Sequence, residues 1–209
     1  MCIRERDGNV ETLNDESIRE IFDRTFGFLS TSNIRPISLP AKDAAFHQVM
    51  NYYRQNQEEI KRVIETEVDV SVEKENYILA GKVDVLMGGD GKLEILDFKT
   101  SPKPIDSPEL IKSYERQLCT YAHILEKRYG KRPDRLLLYW TSEEKKENAL
   151  MEFPYHPDLV DDAGKVFDDV VCKIQSKNFE ISIPPERHIC AECDIKHLCI
   201  RDGIIQKIE

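Results

Sequence analysis

The stretch "AGKVDVLMGGDGKLEILDFKT", Ala80 to Thr100, constrains the fold of this chain more than any other. Two apolar runs flank a Gly-rich centre, and Asp-Gly is a strong hairpin signal because a two-residue type I′ turn needs positive φ at both central positions. Strands this apolar must be buried. They nevertheless carry Asp84 and Asp97, with Lys99 just beyond. Two registers are open. With Asp90 and Gly91 central, Asp84 lies opposite Asp97; carboxylates there repel by on the order of 3 kcal/mol at an effective dielectric near 20. A divalent cation shared by both would offset that cost. With Gly89 and Asp90 central, Asp97 faces Lys82 in an ordinary ion pair and Asp84 faces Ile95. In either register Lys99 shares the face of Asp97, while Leu96 and Phe98 point to the other side.

The rest of the chain supplies elements for that hairpin to join. Asn14 or Asp15 can cap a helix with Ile18, Ile21, Phe22, Phe26 and Leu29 at helical spacing. A second helical pattern follows Pro40, with Phe46, Val49, Met50 and Tyr53, and continues through Ile60, Val63 and Ile64. "ETEVDVSV" alternates as a strand with one buried face. After the hairpin, a helix carries Ile111, Tyr114, Leu118, Tyr121, Ala122 and Leu125 to about Tyr129, where Gly130 suits its stop. "DRLLLYW" and "NALMEFPY" predict two more strands, and a last helix spans about Asp158 to Ser176. The order predicts an α/β fold with a mixed sheet flanked by helices. It also predicts one domain over 1–209: a helical part (1–65), a central sheet with its helix (66–155), and a C-terminal helix with a cysteine-rich tail (156–209).

The net charge of −9 argues against generic nucleic-acid binding. One segment reverses the sign: Lys99 to Arg135 holds nine basic and five acidic residues, including Lys103, Lys112 and Arg116. Such a run is either a solvated helix face or a track for a phosphate backbone. No apolar run is long enough to span a membrane and no secretory signal begins the chain, so a cytoplasmic location is expected. Cys190, Cys193 and Cys199 are spaced C-x2-C-x5-C, a pattern suited to zinc or an iron-sulfur cluster, with His188 or His197 as a further zinc ligand. Cys119 and Cys172 fall on helical segments and are expected to be buried.

"GKVDV" followed by "LEILDFKT" resembles the Asp…Asp-x-Lys core of the PD-(D/E)XK nuclease superfamily. "QLCTY" (Gln117 to Tyr121) resembles the Gln-x-x-x-Tyr motif of its RecB-type branch. Gln117 and Tyr121, four apart, share one helix face. The resemblance covers about Glu67 to Cys199 and implies the restriction-endonuclease-like core. It further implies that Asp84 and Asp97 ligate Mg²⁺ or Mn²⁺, with the Phe98 carbonyl as a backbone ligand and Glu67 as a supporting acid. Lys99 would be the catalytic lysine, with Gln117 and Tyr121 completing the site. The early-helix metal-binding His of that branch has no counterpart at its usual place; His47 stands later. The three-cysteine tail is similar to that of iron-sulfur nucleases such as AddB and of some superfamily 1 helicases, in which an N-terminal cysteine, here Cys2, completes a [4Fe–4S] cluster.

Two functions are expected on these grounds. One is a metal-dependent deoxyribonuclease of repair or recombination, attached to a DNA helicase motor. The other is a module that keeps the fold to bind DNA or a protein partner without cleaving.

Overall fold

The computed structural model describes residues 13–31, 38–89, 91–178, 190–191 and 193–204. The chain divides into two compact units, 1–168 and 169–209.

In the first unit, helices α1 (Asp15–Thr31), α2 (Leu39–Gln55) and α3 (Gln57–Lys61) precede a meander of β1 (Val63–Glu73), β2 (Ile78–Gly89) and β3 (Lys92–Lys99). Helix α4 (Pro108–Tyr129) then crosses over to β4 (Arg135–Trp140). A short α5 (Lys146–Ala149), β5 (Leu150–Pro154) and α6 (Pro157–Gln175) come after it. The sheet order is β1-β2-β3-β4-β5, antiparallel except for the parallel β3–β4 pair that the α4 crossover requires. The expected mixed α/β sheet is therefore present. No helix among the described residues is long and apolar enough to cross a membrane.

The second helical pattern does not run on to Ile64. It breaks at Asn56, whose side chain donates to Tyr52 O at 2.9 Å and to the Tyr139 hydroxyl at 3.1 Å. Val63 and Ile64 belong instead to β1, where ladder pairing with β2 outweighs helical periodicity.

Two apolar layers hold the sheet. On one face, Val83, Leu86, Ile95, Leu136, Leu138 and Trp140 pack under α4 and α6. On the other, Val85, Met87, Leu96, Leu137 and Tyr139 meet Tyr52 of α2. Fully burying a Leu or Ile contributes roughly 1.5–3 kcal/mol, so these layers dominate stability. The middle of α4, Leu118 to Leu125, is buried on every side. Gly130 ends the helix at φ 62°, with its N–H donating to Glu126 O at 3.0 Å.

Strand β2 carries one irregularity. Its Leu79 and Val83 face α4, whereas Val85 and Met87 face the opposite layer and Leu86 faces α4. The alternation slips at Asp84. In β1 the residue across from it, between the pairs Thr66↔Val85 and Val68↔Val83, is Glu67, which adopts φ 52°. A left-handed backbone costs a non-glycine residue on the order of 1–3 kcal/mol, and such strain gathers at functional positions.

The second unit contains the end of α6 and a short helix α7 (Lys196–Arg201). Cys193 N–H meets Cys190 O at 3.4 Å, and Ile204 N–H meets Cys199 O at 2.8 Å. Cys119, in the first unit, is buried as expected; burial pushes its thiol up to about 11. Cys172 is exposed, contrary to expectation.

Candidate active site

The hairpin takes the Asp90–Gly91 register: Gly89 pairs with Lys92, Leu86 with Ile95 and Val85 with Leu96. Gly91 supplies the positive φ, at 78°. Continued by one residue, this register sets Asp84 opposite Asp97, and the ladder stops there. Asp84 instead turns its carboxylate to the backbone, with Oδ2 accepting from Phe98 N–H at 2.8 Å. The slip at Asp84 thus ties the end of β2 to β3 through a side chain.

Asp97 is 3% exposed. Lys99 Nζ stands 2.6 Å from its Oδ2, a close ion pair inside the protein. Helix α4 supplies the remaining partners. Gln117 Oε1 accepts from Lys99 Nζ at 2.8 Å, and Gln117 Nε2 donates to Asp97 Oδ1 at 3.1 Å and to the Tyr121 hydroxyl at 2.9 Å. Gln117 therefore clamps both members of the ion pair, and Tyr121 fixes Gln117. Tyr114, one turn earlier, sets its ring 4.4 Å from the Lys99 ammonium.

Burial raises the Asp97 carboxyl above its usual range; Lys99 opposes that rise, and the charge of Asp84 adds to it. Tyr121 is also raised, first by burial, then by Asp97 and Asp84, against the hydrogen bond from Gln117. The two carboxylates thus act on each other and on the same hydroxyl, as residues around one site do.

This donor set suits a hard divalent cation. Asp97 Oδ2 is buried against the Lys99 ammonium alone, and Asp84 Oδ1 makes no hydrogen bond among the described residues. The Phe98 carbonyl follows Asp97 directly on β3, and the N–H of the same residue is the group that Asp84 Oδ2 accepts from. The set stops at two carboxylates: among the described residues no three His, Cys, Asp or Glu side chains come together to hold a metal. Glu67 does not join them. Its side chain is 67% exposed and its carboxylate stands 3.7 Å from the Lys82 ammonium. His47 does not join either; it lines a cleft between α1 and α2 with Asp15, Glu16, Asp43 and Arg54.

Among the described residues, Cys190, Cys193 and Cys199 form no group of three that could hold a metal. All three thiols are free, and no further described ligand completes a metal-binding group with them. Cys2 and His188 lie outside the described residues. Nothing in the arrangement of the described residues fits a [4Fe–4S] cluster or zinc.

Part of the basic segment meets partners that folding brings from elsewhere. Lys127 stands 3.7 Å from Asp161, Arg135 meets Glu152 at 2.6 Å, and Arg132 lies over the Tyr155 ring at 4.0 Å. Lys112 pairs with Glu109 at 3.3 Å, Lys103 Nζ donates to Asn148 O at 2.6 Å, and Arg116 is exposed on α4.

Gly81 keeps the motif tyrosine in place, since a Cβ there would fall 2.8 Å from Tyr121 Cε1. Gly81→Ala should push that ring off Gln117 and cost about 1–3 kcal/mol by overpacking. The check is a lowered urea midpoint in Gly81→Ala that largely disappears when Tyr121→Ala is combined with it.

The family profile described as the PD-(D/E)XK nuclease superfamily matches residues 4–200. A crystal structure named "Putative exonuclease", from Eubacterium rectale, is similar at TM-score 0.54 and 14% identity, over 93% of this chain and 73% of that one. The structure of SSO0001 is similar at TM-score 0.43 and 14% identity, over 87% and 96%. No curated protein matches the chain.

Proposed function

The chain belongs to the PD-(D/E)XK nuclease superfamily, and on that premise we propose that it is a divalent-metal-dependent deoxyribonuclease that hydrolyses phosphodiester bonds. The observation that carries the proposal is the convergence of Asp97, Lys99 and Gln117 within 3.1 Å of one another, with the Asp84 carboxylate tied to Phe98 between them. In this reading Asp84, Asp97 and the Phe98 carbonyl hold Mg²⁺ or Mn²⁺. A bound cation would supply charge neutralisation at the phosphoryl group and a more acidic attacking water. The chain's own part is positional and electrostatic. Lys99 presents an ammonium where negative charge grows during the displacement, Gln117 accepts a hydrogen bond from that ammonium, and Tyr121 holds Gln117. Lys103, Lys112 and Arg116, between the hairpin and the middle of α4, would follow the DNA backbone.

The finer placement belongs to the same proposal: a RecB-type branch member, similar to AddB and to helicase-attached nucleases, acting in DNA repair or recombination in the cytoplasm as one nuclease domain over 1–209. The Gln-x-x-x-Tyr pair supports it, because Gln117 and Tyr121 take part in the site. One observation favours a second reading, in which the fold binds DNA or a protein without cleaving: the metal set holds two carboxylates and, among the described residues, no third side chain.

Cleavage of single- and double-stranded DNA, with Mg²⁺, Mn²⁺ or EDTA, separates the two. Metal-dependent cleavage in the native protein, absent from Asp97→Ala and Lys99→Ala, is expected. Equal residual activity in all three proteins would leave the binding module.

A further inference from the structure

Lys99 has a third partner besides Asp97 and Gln117. Its ammonium stands 4.4 Å from the centroid of the Tyr114 ring, within the range of a cation–π contact. We propose that Tyr114 is a positioning residue, whose ring face holds the Lys99 ammonium in the site when the charge of Asp97 is engaged by a cation. The consequence for turnover rests on the nuclease reading; the contact does not.

Asp97 cannot be both sole counter-ion to Lys99 and ligand to a cation. A divalent ion taken up at Oδ2 competes for the oxygen that lies 2.6 Å from Lys99 Nζ, and it repels the ammonium directly. Gln117 Oε1 remains, but a single neutral acceptor leaves the amine free to pivot. The negative face of an aromatic ring is a third point of attachment that a metal ion held by carboxylates does not remove. The Lys99 side chain is 13% exposed, so water screens this contact little.

The ring is itself braced. Tyr114 meets Trp140 edge-on, with centroids 6.3 Å apart at 66°. Trp140 is fully buried, and no hydrogen bond among the described residues serves its Nε1. Lys103 Nζ lies 5.2 Å from the Trp140 ring. Tyr114, Gln117 and Tyr121 succeed one another at helical spacing on α4, so one face of this helix presents a ring, an amide and a hydroxyl to the Asp97–Lys99 pair.

The test separates a held ammonium from ordinary ring packing. Phe, 3,5-difluoro-Phe and 3,4,5-trifluoro-Phe at position 114 keep nearly the same shape while progressively weakening the negative ring face; Tyr114→Leu removes the ring. Two readouts are needed: the ring-current shift of the Lys99 ε-methylene protons in metal-free ¹³C-lysine-labelled protein, and kcat and KM for Mg²⁺-dependent DNA cleavage. The upfield shift should be present with every aromatic residue and lost in Tyr114→Leu. Along the fluorinated series kcat should fall by about tenfold with KM nearly constant, the scale of one cation–π contact. A Lys99 signal without an upfield shift in the native protein overturns the proposal, as does a kcat that stays flat across the series. If the native protein fails to cleave DNA, the nuclease reading fails instead, and the ring-current shift alone decides whether Tyr114 holds the amine.

Discussion

Lys99→Met should lower metal-dependent DNA cleavage by about a hundred- to a thousandfold, the usual scale for removing one preorganised charge-stabilising group, while Mg²⁺ or Mn²⁺ binds more tightly than before. The two effects have opposite signs because the ammonium plays two parts. At 2.6 Å from Asp97 Oδ2 it competes with a cation for that oxygen. Unit like charges 4 Å apart repel by about 4 kcal/mol at an effective dielectric near 20, and the ammonium imposes a penalty of this kind on any ion placed beside it. Asp97→Asn should instead remove both activity and metal binding. The readout for binding is thermal. A ligand at a hundred times its Kd stabilises the fold by about 2.7 kcal/mol, and a domain of this size gains roughly 2–4 °C of Tm per kcal/mol. Native protein should therefore gain about 5–10 °C with saturating Mn²⁺, Lys99→Met should reach the same gain at lower Mn²⁺, and Asp97→Asn should gain nothing. Loss of the thermal response in Lys99→Met would mean that the lysine, not the carboxylates, organises the site. An Mn²⁺ response retained in Asp97→Asn would mean that the ion binds elsewhere.

The centre of this site is legible in the sequence because its constraints are local. Asp-Gly sets the hairpin turn, and the turn sets the register as far as Val85↔Leu96, one step short of Asp84 and Asp97. Four-residue spacing likewise puts Gln117 and Tyr121 on one face of α4, and Gly130 ends that helix where expected. What escapes the sequence depends on partners far along the chain. Asn56 breaks a continuous helical pattern only because the Tyr139 hydroxyl, 83 residues away, takes its amide. Glu67 alternates correctly for a strand, but its left-handed φ appears only where the slip at Asp84 forces it. Within the basic run Lys127 and Arg135 pair with Asp161 and Glu152 and Arg132 lies over the Tyr155 ring, none of which the run itself reveals. Tyr114 has the spacing of a core residue, and its ring does pack in the core; that the same ring faces Lys99 is decided by where α4 crosses β3.

Gly164→Ala should destabilise the protein by up to about 2 kcal/mol, although the same change on an open helix would stabilise it. Alanine gains roughly 1 kcal/mol over glycine in a helix interior. Here the new Cβ would fall 2.5 Å from Cε1, 2.7 Å from Nε2 and 2.9 Å from Nδ1 of His123, whose ring is 3% exposed on α4 and has no room to retreat. Overpacking of this kind costs about 1–3 kcal/mol and outweighs the helical gain. Shortening the imidazole should reverse the sign: in a His123→Ala background, Gly164→Ala becomes stabilising. Urea midpoints of the two single variants and the double variant give the coupling, and a value near zero would show that α6 does not rest on this ring. The imidazole adds a pH dependence of its own. Neither ring nitrogen has a hydrogen bond among the described residues. Burial first, then the charges of Lys74 and Lys127, hold His123 below its ordinary value of 6.5, against the opposing pull of Asp161 and Asp168. The folded state therefore binds the proton less well than the unfolded chain. The stability tied to neutral His123 is complete above about pH 6.5 and is lost as the pH falls through the depressed folded value. His123→Leu removes both unpaired nitrogens, so its urea midpoint should fall less than that of the native protein between about pH 7.5 and 5.5. Equal losses in the two proteins would place the acid sensitivity in other groups.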